Sequence, residues 1–415
     1  MDRRLWSILA VGLAAISLGT VGVIDRLQNG LLHVGYGSPM PWALWVVFYI
    51  YFIGLSAGAF LVSSLVYVFG VKRLEPVGRI AVFTALIALI TALLFIGVDL
   101  GHMERFVEVY TRAQFRSPLA WIAWLYSGYL LLLLAEAWML MRRSLVRGAN
   151  QPGLRGWLYR CLALGTKDAS QAAQERDLRV VRILGSIGVP LAVAFHGGTG
   201  TVFAVTIARA YWHTGLFPLL FLLSALTSGG ALLTAVAAFV VPKGHQRYRE
   251  TVLALGRLVL GLVLLEMLMQ VAEVLVGLYG ASPAHSTPLR VQIFGPNWWV
   301  FWVLGAGCAV GLPAVLLATI GRHNARAAGL AALLSAIGFL GIRWNIVLPG
   351  FAVPELPGIE HAYVEPHLDR LTAYVPSSME WLVSAFAIGV ALTLFAVGFG
   401  LLPLEQDILA GSGPA

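Results

Sequence analysis

The sequence predicts an all-α polytopic membrane protein: about ten transmembrane helices, arranged as two parallel-repeat four-helix bundles plus two flanking helices. Composition is the first observation behind this. Of 415 residues, 59% are hydrophobic and only 12% charged, about half the charge of a soluble domain, and the mean hydropathy is +0.82. The second is a series of apolar runs, each long enough to cross about 30 Å of hydrocarbon. They lie at 5–24, 43–70, 80–101, 119–141, 183–206, 216–241, 251–279, 298–320, 330–347 and 381–402. The third is a weak internal repeat. Leu55-Ser-Ala-Gly-Ala-Phe-Leu61 in the second run resembles Thr227-Ser-Gly-Gly-Ala-Leu-Leu233 in the sixth, 172 residues later. Such small residues allow helices to approach closely in lipid.

Taken in order, the opening Met-Asp-Arg-Arg precedes an apolar stretch, Leu5 to Ile24, that is longer than a signal-peptide core and lacks an A-x-A-like cleavage site. It reads as a retained first helix. The second and third runs follow, and the third ends in Ile-Gly-Val-Asp99-Leu-Gly-His102. A carboxyl at bilayer depth costs about 2.5–3.5 kcal/mol, so something must compensate for it or use it. Pro118-Leu-Ala-Trp121 opens the fourth run, and Pro296-Asn-Trp298 opens the eighth in a similar way. Between the fourth and fifth runs, Arg142 to Arg182 carries nine basic residues and the polar patch Thr166 to Arg176. That segment fits either a short amphipathic helix on anionic lipid or a solvated loop. The long loop from Pro349 to Ser378, with Glu355, Glu360, Glu365 and Asp369, reads as a cover or a partner contact.

These runs divide the chain into a flanking helix and outer loop (1–42), a first bundle (43–206), a second bundle (207–347), and an outer loop with a last helix (348–415). Nineteen Lys/Arg fall at the N-terminus and in the loops after even-numbered helices, against seven in the other loops. The imbalance predicts that both termini are cytoplasmic. The net charge of +8 flanks apolar runs and does not cluster with exposed aromatics, so it reports topology and not nucleic-acid binding.

The two cysteines, Cys161 and Cys308, are far apart and cannot ligate an iron–sulfur cluster. Among nine histidines only His196 lies well inside a run, which argues against a bis-histidine haem and against a metal cage. Polar side chains gather toward the non-cytoplasmic ends: Tyr49, Asp99, His196, Glu273 and Arg343. Glu266 lies near the midplane, and Glu136 near the cytoplasmic end. A redox-active quinone needs an apolar slot, hydrogen-bond donors for its carbonyls and a titratable group. Tyr49, His196 and Asp99 are residues of those types. A membrane Tyr is also a common interfacial anchor, and a lone His beside Gly-Gly-Thr is also a common packing residue.

Several motifs together resemble the NrfD/PsrC family of membrane subunits. They are Phe52-Ile-Gly-Leu-Ser-Ala-Gly58, Asp99-Leu-Gly followed by Arg105-Phe106, Ser117-Pro-Leu-Ala-Trp121, His196-Gly-Gly-Thr-Gly200 and Ala210-Tyr-Trp-His-Thr214. Arg343-Trp-Asn345 and Tyr374-Val-Pro-Ser-Ser-Met-Glu380 are similar to the ten-helix branch. The resemblance implies a haem-free anchor that exchanges electrons between menaquinone or ubiquinone and an extracytoplasmic ferredoxin-like iron–sulfur subunit. A molybdopterin, hydrogenase or multihaem cytochrome subunit would lie beyond it, and the setting would be a prokaryotic inner membrane. The implied quinone site comprises Tyr49, Asp99, His102, Arg105, Trp121, His196 and Thr199, with Asp99, Tyr49 and His196 nearest the chemistry. Asp99, Glu136, Glu266, Glu273 and Arg343 form an expected proton route, with Glu273 and Arg343 read as an acid–base pair. The sequence departs from the family pattern at His102-Met103, where Arg-Pro often follows D-L-G, and at Gly198, where an aromatic is common. Two other classes remain open on the residues alone: an ion or solute transporter using its intramembrane acids, and a structural anchor with a degenerate site.

Overall fold

The computed structural model describes residues 2–37, 40–241, 246–280, 282–351 and 374–404. Among them, ten helices are long and apolar enough to cross a membrane. They are α1 (Arg3–Asn29), α2 (Leu44–Tyr67), α3 (Gly78–Asp99), α4 (Pro118–Gly148) and α5 (Gln171–Ala204). The chain continues with α6 (Phe217–Phe239), α7 (Gln246–Tyr279), α8 (Val300–Ala318), α9 (Ala325–Val347) and α10 (Ser378–Leu401). The acids of the 349–378 loop lie outside the described residues.

α2 and α6 form the centre. Gly58 and Gly229 let their backbones touch: a Cβ on Gly58 would overlap the Ala225 carbonyl oxygen, and one on Gly229 would sit 2.5 Å from the Gly58 Cα. The two sequence segments that resemble each other therefore meet face to face. α2 also packs on α3 and α5, and α4 packs on α3 and α5; on the other side, α6 packs on α7 and α9, and α9 on α8. The flanking helices α1 and α10 pair with each other, and α10 docks on α3. Gly12, Gly19 and Gly22 of α1 nest against Thr393, Phe386 and Leu382 of α10, while Val11, Leu18, Val21 and Leu27 face outward, as lipid requires.

The segment after α4 holds a short helix, as one of the two expectations had it, although its polar patch lies outside that helix. Part of the patch forms the first turns of α5, capped by Ser170, whose hydroxyl accepts from the Ala173 amide at 3.1 Å. Arg142 makes this extension possible by pairing with Asp177 at 2.7 Å and donating to the Asp168 carbonyl. The separate short helix is Gly153–Leu162. In α8, residues Val300–Gly311 wind as a π-helix before Leu312–Ala318 returns to α geometry. Pro313 cannot donate to the Ala309 carbonyl. Ser335 of α9 supplies the missing donor at 2.7 Å.

Candidate functional site

α3 ends at Asp99, and the last carbonyls of a helix need outside donors. Arg26 of α1, almost fully buried, provides them: its Nε donates to the Val98 carbonyl at 2.8 Å and its Nη2 to the Leu100 carbonyl at 2.5 Å. The Asp99 carboxylate itself accepts from the Tyr36 hydroxyl at 2.9 Å. Burial first, and then the nearby Asp99 charge, push the Tyr36 phenol well above its ordinary range, so it stays a donor.

A second carboxyl supports this corner from behind. Glu380, fully buried in the first turn of α10, accepts from the Tyr374 hydroxyl, from the Gly35 amide at 2.7 Å and from the Ser377 amide at 2.9 Å. Its own amide donates to Ser377 Oγ at 3.2 Å, completing a capping box. The Trp45 indole donates to the Glu380 carbonyl at 3.1 Å, and the Tyr36 ring meets Trp45 edge-on. Donors converging on a buried carboxyl in this number offset the cost of taking it out of water. The result ties the 30–37 loop, the start of α2 and the start of α10 together around Asp99.

Tyr49 lies within electrostatic reach of Asp99. It is half-buried, and its hydroxyl takes part in none of the described hydrogen bonds. Beside it the rings of Phe48, Phe52 and Phe95 stack, with centroids 4.8 Å apart for Phe48–Phe95 and 5.7 Å for Phe52–Phe95. This corner thus combines a titratable acid, a phenol in none of the described hydrogen bonds and a set of stacked apolar rings.

His196 of α5 meets α2 one turn further along, but its ring is occupied. Nδ1 lies 2.8 Å from the Ala192 carbonyl and Nε2 2.8 Å from the Ile53 carbonyl. A neutral imidazole carries one N–H and donates to one of these two oxygens, and it is the Ile53 contact that links α5 to α2. Thr199 likewise turns back to its own helix, donating to the Phe195 carbonyl at 3.0 Å. His102 and Arg105 are exposed, with His102 paired to Glu104 at 2.9 Å. Trp121 is exposed too, its indole donating to the Phe115 carbonyl at 2.8 Å. The fold therefore brings Tyr49 and Asp99 together and places His102, Arg105 and Trp121 on the surrounding surface.

The α6–α9 side of the molecule holds a separate polar cluster. Arg343 of α9 is buried with its guanidinium over the Phe221 ring, 4.6 Å from the centroid, and Nη1 has no hydrogen-bond partner. Gly54 makes room for it from α2: a Cβ there would sit 3.2 Å from Nη2. The expected Glu273–Arg343 pair does not form. Arg343 is in no ion pair among the described residues, and the acid that acts on it electrostatically is Glu266, two turns deeper on α7. Glu266 Oε1 accepts from Ser224 at 2.6 Å and from Gln270 at 3.0 Å, while its Oε2 is buried without a partner. A cavity of about 60 Å³ adjoins it, lined by Glu266, Gln270, Glu273, Tyr211, Gln292 and Asn345 and bounded by the π segment of α8. Glu136 of α4 lies apart from this cluster, with Oε1 accepting from Ser63 at 3.1 Å and Oε2 unpartnered. Among the described residues no cluster of His, Cys, Asp and Glu is arranged to hold a metal.

Arg26, Tyr36 and Glu380 were not singled out as site residues from the sequence. Ser377-Ser-Met-Glu380 is a readable capping box, but nothing local to it indicates that the glutamate also holds the 30–37 loop.

A membrane protein with ten candidate spans and buried titratable groups, among them the Asp99 corner, is the class that fold and site define. The family described as "Polysulphide reductase, NrfD" matches residues 34–355, and the chain belongs to that family. It is 38% identical to a selenate reductase subunit from Mesobacillus selenatarsenatis, over 93% of this chain and 91% of that one. It is 28% identical to the Hdr-like menaquinol oxidoreductase integral membrane subunit of Archaeoglobus fulgidus, over 95% and 93%. Identity is 22% to the menaquinone reductase integral membrane subunit of Nitratidesulfovibrio vulgaris, over 91% and 86%.

Proposed function

We propose that this chain is the quinone-reactive membrane subunit of a respiratory oxidoreductase complex, and that quinone or quinol reacts beside Asp99 and Tyr49. The observation that carries the reading is the Tyr36–Asp99 hydrogen bond set next to the free Tyr49 hydroxyl and the Phe48–Phe52–Phe95 stack. Bound there, the quinone supplies two-electron, two-proton chemistry. Tyr49 orients a carbonyl, Asp99 holds or releases the proton, and Tyr36 fixes the carboxylate as it does so. The electrons pass to or from an iron–sulfur subunit on the outer side, since this chain's two cysteines lie far apart in the sequence. The relatives named for selenate and menaquinone reduction support that placement in a larger assembly.

Asp99 lies at the end of the bundle opposite the start of α1 and the end of α10, because Arg26 near the end of α1 donates to the adjoining Val98 and Leu100 carbonyls while Leu5 and Phe399 share the other end. With both termini in the cytoplasm, as the Lys/Arg distribution favours, the quinone corner opens to the outer side. The decisive experiment is Asp99→Asn in the assembled complex: quinone-linked electron transfer is lost while the partner subunits remain bound. Undiminished turnover would remove Asp99 from the mechanism.

Proton movement across the membrane is a second part of the reading. Glu136 and Glu266 each keep a buried, unpartnered oxygen. The cavity beside Glu266, about 60 Å³, is above the roughly 10–15 Å³ needed to hold a water. Glu266→Gln is expected to leave quinone turnover in detergent intact and to abolish uncoupler-sensitive proton release in vesicles. Unchanged proton release would exclude Glu266 from the route.

A further inference from the structure

At the end of the bundle that carries both termini, a cleft of about 470 Å³ opens between α1, α4, α6, the Gly153–Leu162 helix and the end of α10. That is the size of a small-molecule pocket. Its polar wall includes Arg147, Arg155 and Ser144; its apolar wall includes Leu5, Val240 and Phe399. Arg147 is exposed and makes none of the described hydrogen bonds. Arg155 is held in place, its Nε donating to the Tyr159 hydroxyl at 3.1 Å. The same hydroxyl donates to the Leu401 carbonyl at 2.9 Å, which fastens the short helix to α10. A third guanidinium, Arg79, reaches Ser144 Oγ at 3.2 Å and the Pro403 carbonyl at 3.1 Å. The one acid in the wall, Asp2, is engaged at the start of α1, accepting from the Arg3 amide at 2.6 Å.

The short helix adds an independent observation. Tyr159 and Gly156 face the protein, while Leu154 and Trp157, three residues apart on the other face, are 68% and 56% exposed. Leu164, just beyond the helix, is 72% exposed and sits in the left-handed region at φ 49°. An apolar face with a Trp, flanked by Arg155 and Arg160, is the pattern of a helix lying at the headgroup level of a bilayer. A face left in water would not carry it. A cleft with two arginines on one wall and Leu5, Val240 and Phe399 on another, at the depth fixed by that helix, suits a phosphodiester that carries acyl chains.

We propose that this cleft is a binding site for an anionic phospholipid, its phosphate between Arg147 and Arg155 and its chains along Leu5, Val240 and Phe399. Removing two basic side chains that face an anionic headgroup weakens retention by about thirtyfold. The test uses the complex purified in mild detergent and exchanged into nanodiscs of mixed phosphatidylglycerol and phosphatidylcholine, with bound lipid counted by native mass spectrometry. The wild type is expected to retain phosphatidylglycerol selectively, and Arg147→Ala/Arg155→Ala to lose that selectivity. Arg147→Lys/Arg155→Lys, which keeps the charge, is expected to retain it. Equal retention of the two lipids by the wild type, or unchanged selectivity in the double alanine variant, would overturn the proposal. Quinone-linked turnover of the alanine variant serves as the control that the chain is folded and assembled.

Discussion

Replacing Asp99 by Asn separates chemistry from architecture because the structure isolates the two. The amide keeps an oxygen where the carboxylate accepts from Tyr36 at 2.9 Å, so that hydrogen bond persists in neutral form. A bond to a charged acceptor contributes about 1.5–3 kcal/mol and a neutral one about 0.5–1.5, so the substitution costs the fold about 1 kcal/mol. The end of α3 is held separately, by Arg26 on the Val98 and Leu100 carbonyls, and those contacts do not involve the side chain. What the amide cannot do is carry a proton. Losing a positioned acid–base group lowers turnover by about 10²–10⁴-fold. The assay is electron transfer between a short-chain quinol or quinone and the catalytic partner in membranes. Dye-linked activity of the partner alone measures how much complex has assembled. Dye activity retained with quinone activity lost is the expected outcome. Loss of both in proportion would mean that Asp99 is structural, and loss of neither would mean that it is idle.

Other perturbations read out the remaining parts. Tyr36→Phe removes the hydroxyl that Asp99 accepts from, a loss of about 1.5–3 kcal/mol, and is expected to lower quinone turnover about tenfold or more. Because burial and Asp99 hold the Tyr36 phenol above its usual range, it is protonated throughout the working pH range. Its part is therefore to donate to the Asp99 carboxylate, and undiminished quinone turnover in this variant would show that the contact is not used. Gly58→Ala drives a methyl into the Ala225 carbonyl oxygen, and overpacking of this kind costs about 1–3 kcal/mol; a lowered thermal midpoint in detergent checks it. Glu380→Ala strips the acceptor from the Gly35 amide and the Tyr374 hydroxyl, each unsatisfied group costing about 1–3 kcal/mol. It should destabilise the complex more than Asp99→Asn, measured by the same melt.

Helix number and order were legible because hydrocarbon sets a length and the apolar runs report it. The ends were less so. α4 and α5 run past their apolar stretches because Arg142 and Asp177, far apart in sequence, neutralise each other, and no local pattern announces that pairing. The π segment of α8, whose Ala309 carbonyl accepts from Ser335 of the next helix, is equally silent. At the site, Asp99 was conspicuous because a carboxyl at bilayer depth is rare. Its donor Tyr36 was not, since a loop tyrosine is ordinary, nor was Arg26, which holds the neighbouring Val98 and Leu100 carbonyls from the last turn of α1 where a basic residue is expected. His196 matched a family motif, yet both its nitrogens face main-chain oxygens. Arg343 was expected beside Glu273 from the resemblance, and the acid that acts on it electrostatically is Glu266, two turns away on α7.

The central claim is that quinone reacts at the Asp99 corner. Photo-crosslinking an azidoquinone to the intact complex, followed by peptide mapping, addresses it directly. Labels within Leu44–Phe52 and Leu94–His102 are expected, competed away by unlabelled quinone. Competable labels confined to α7–α9, or to the end of the bundle where α1 begins, would contradict it.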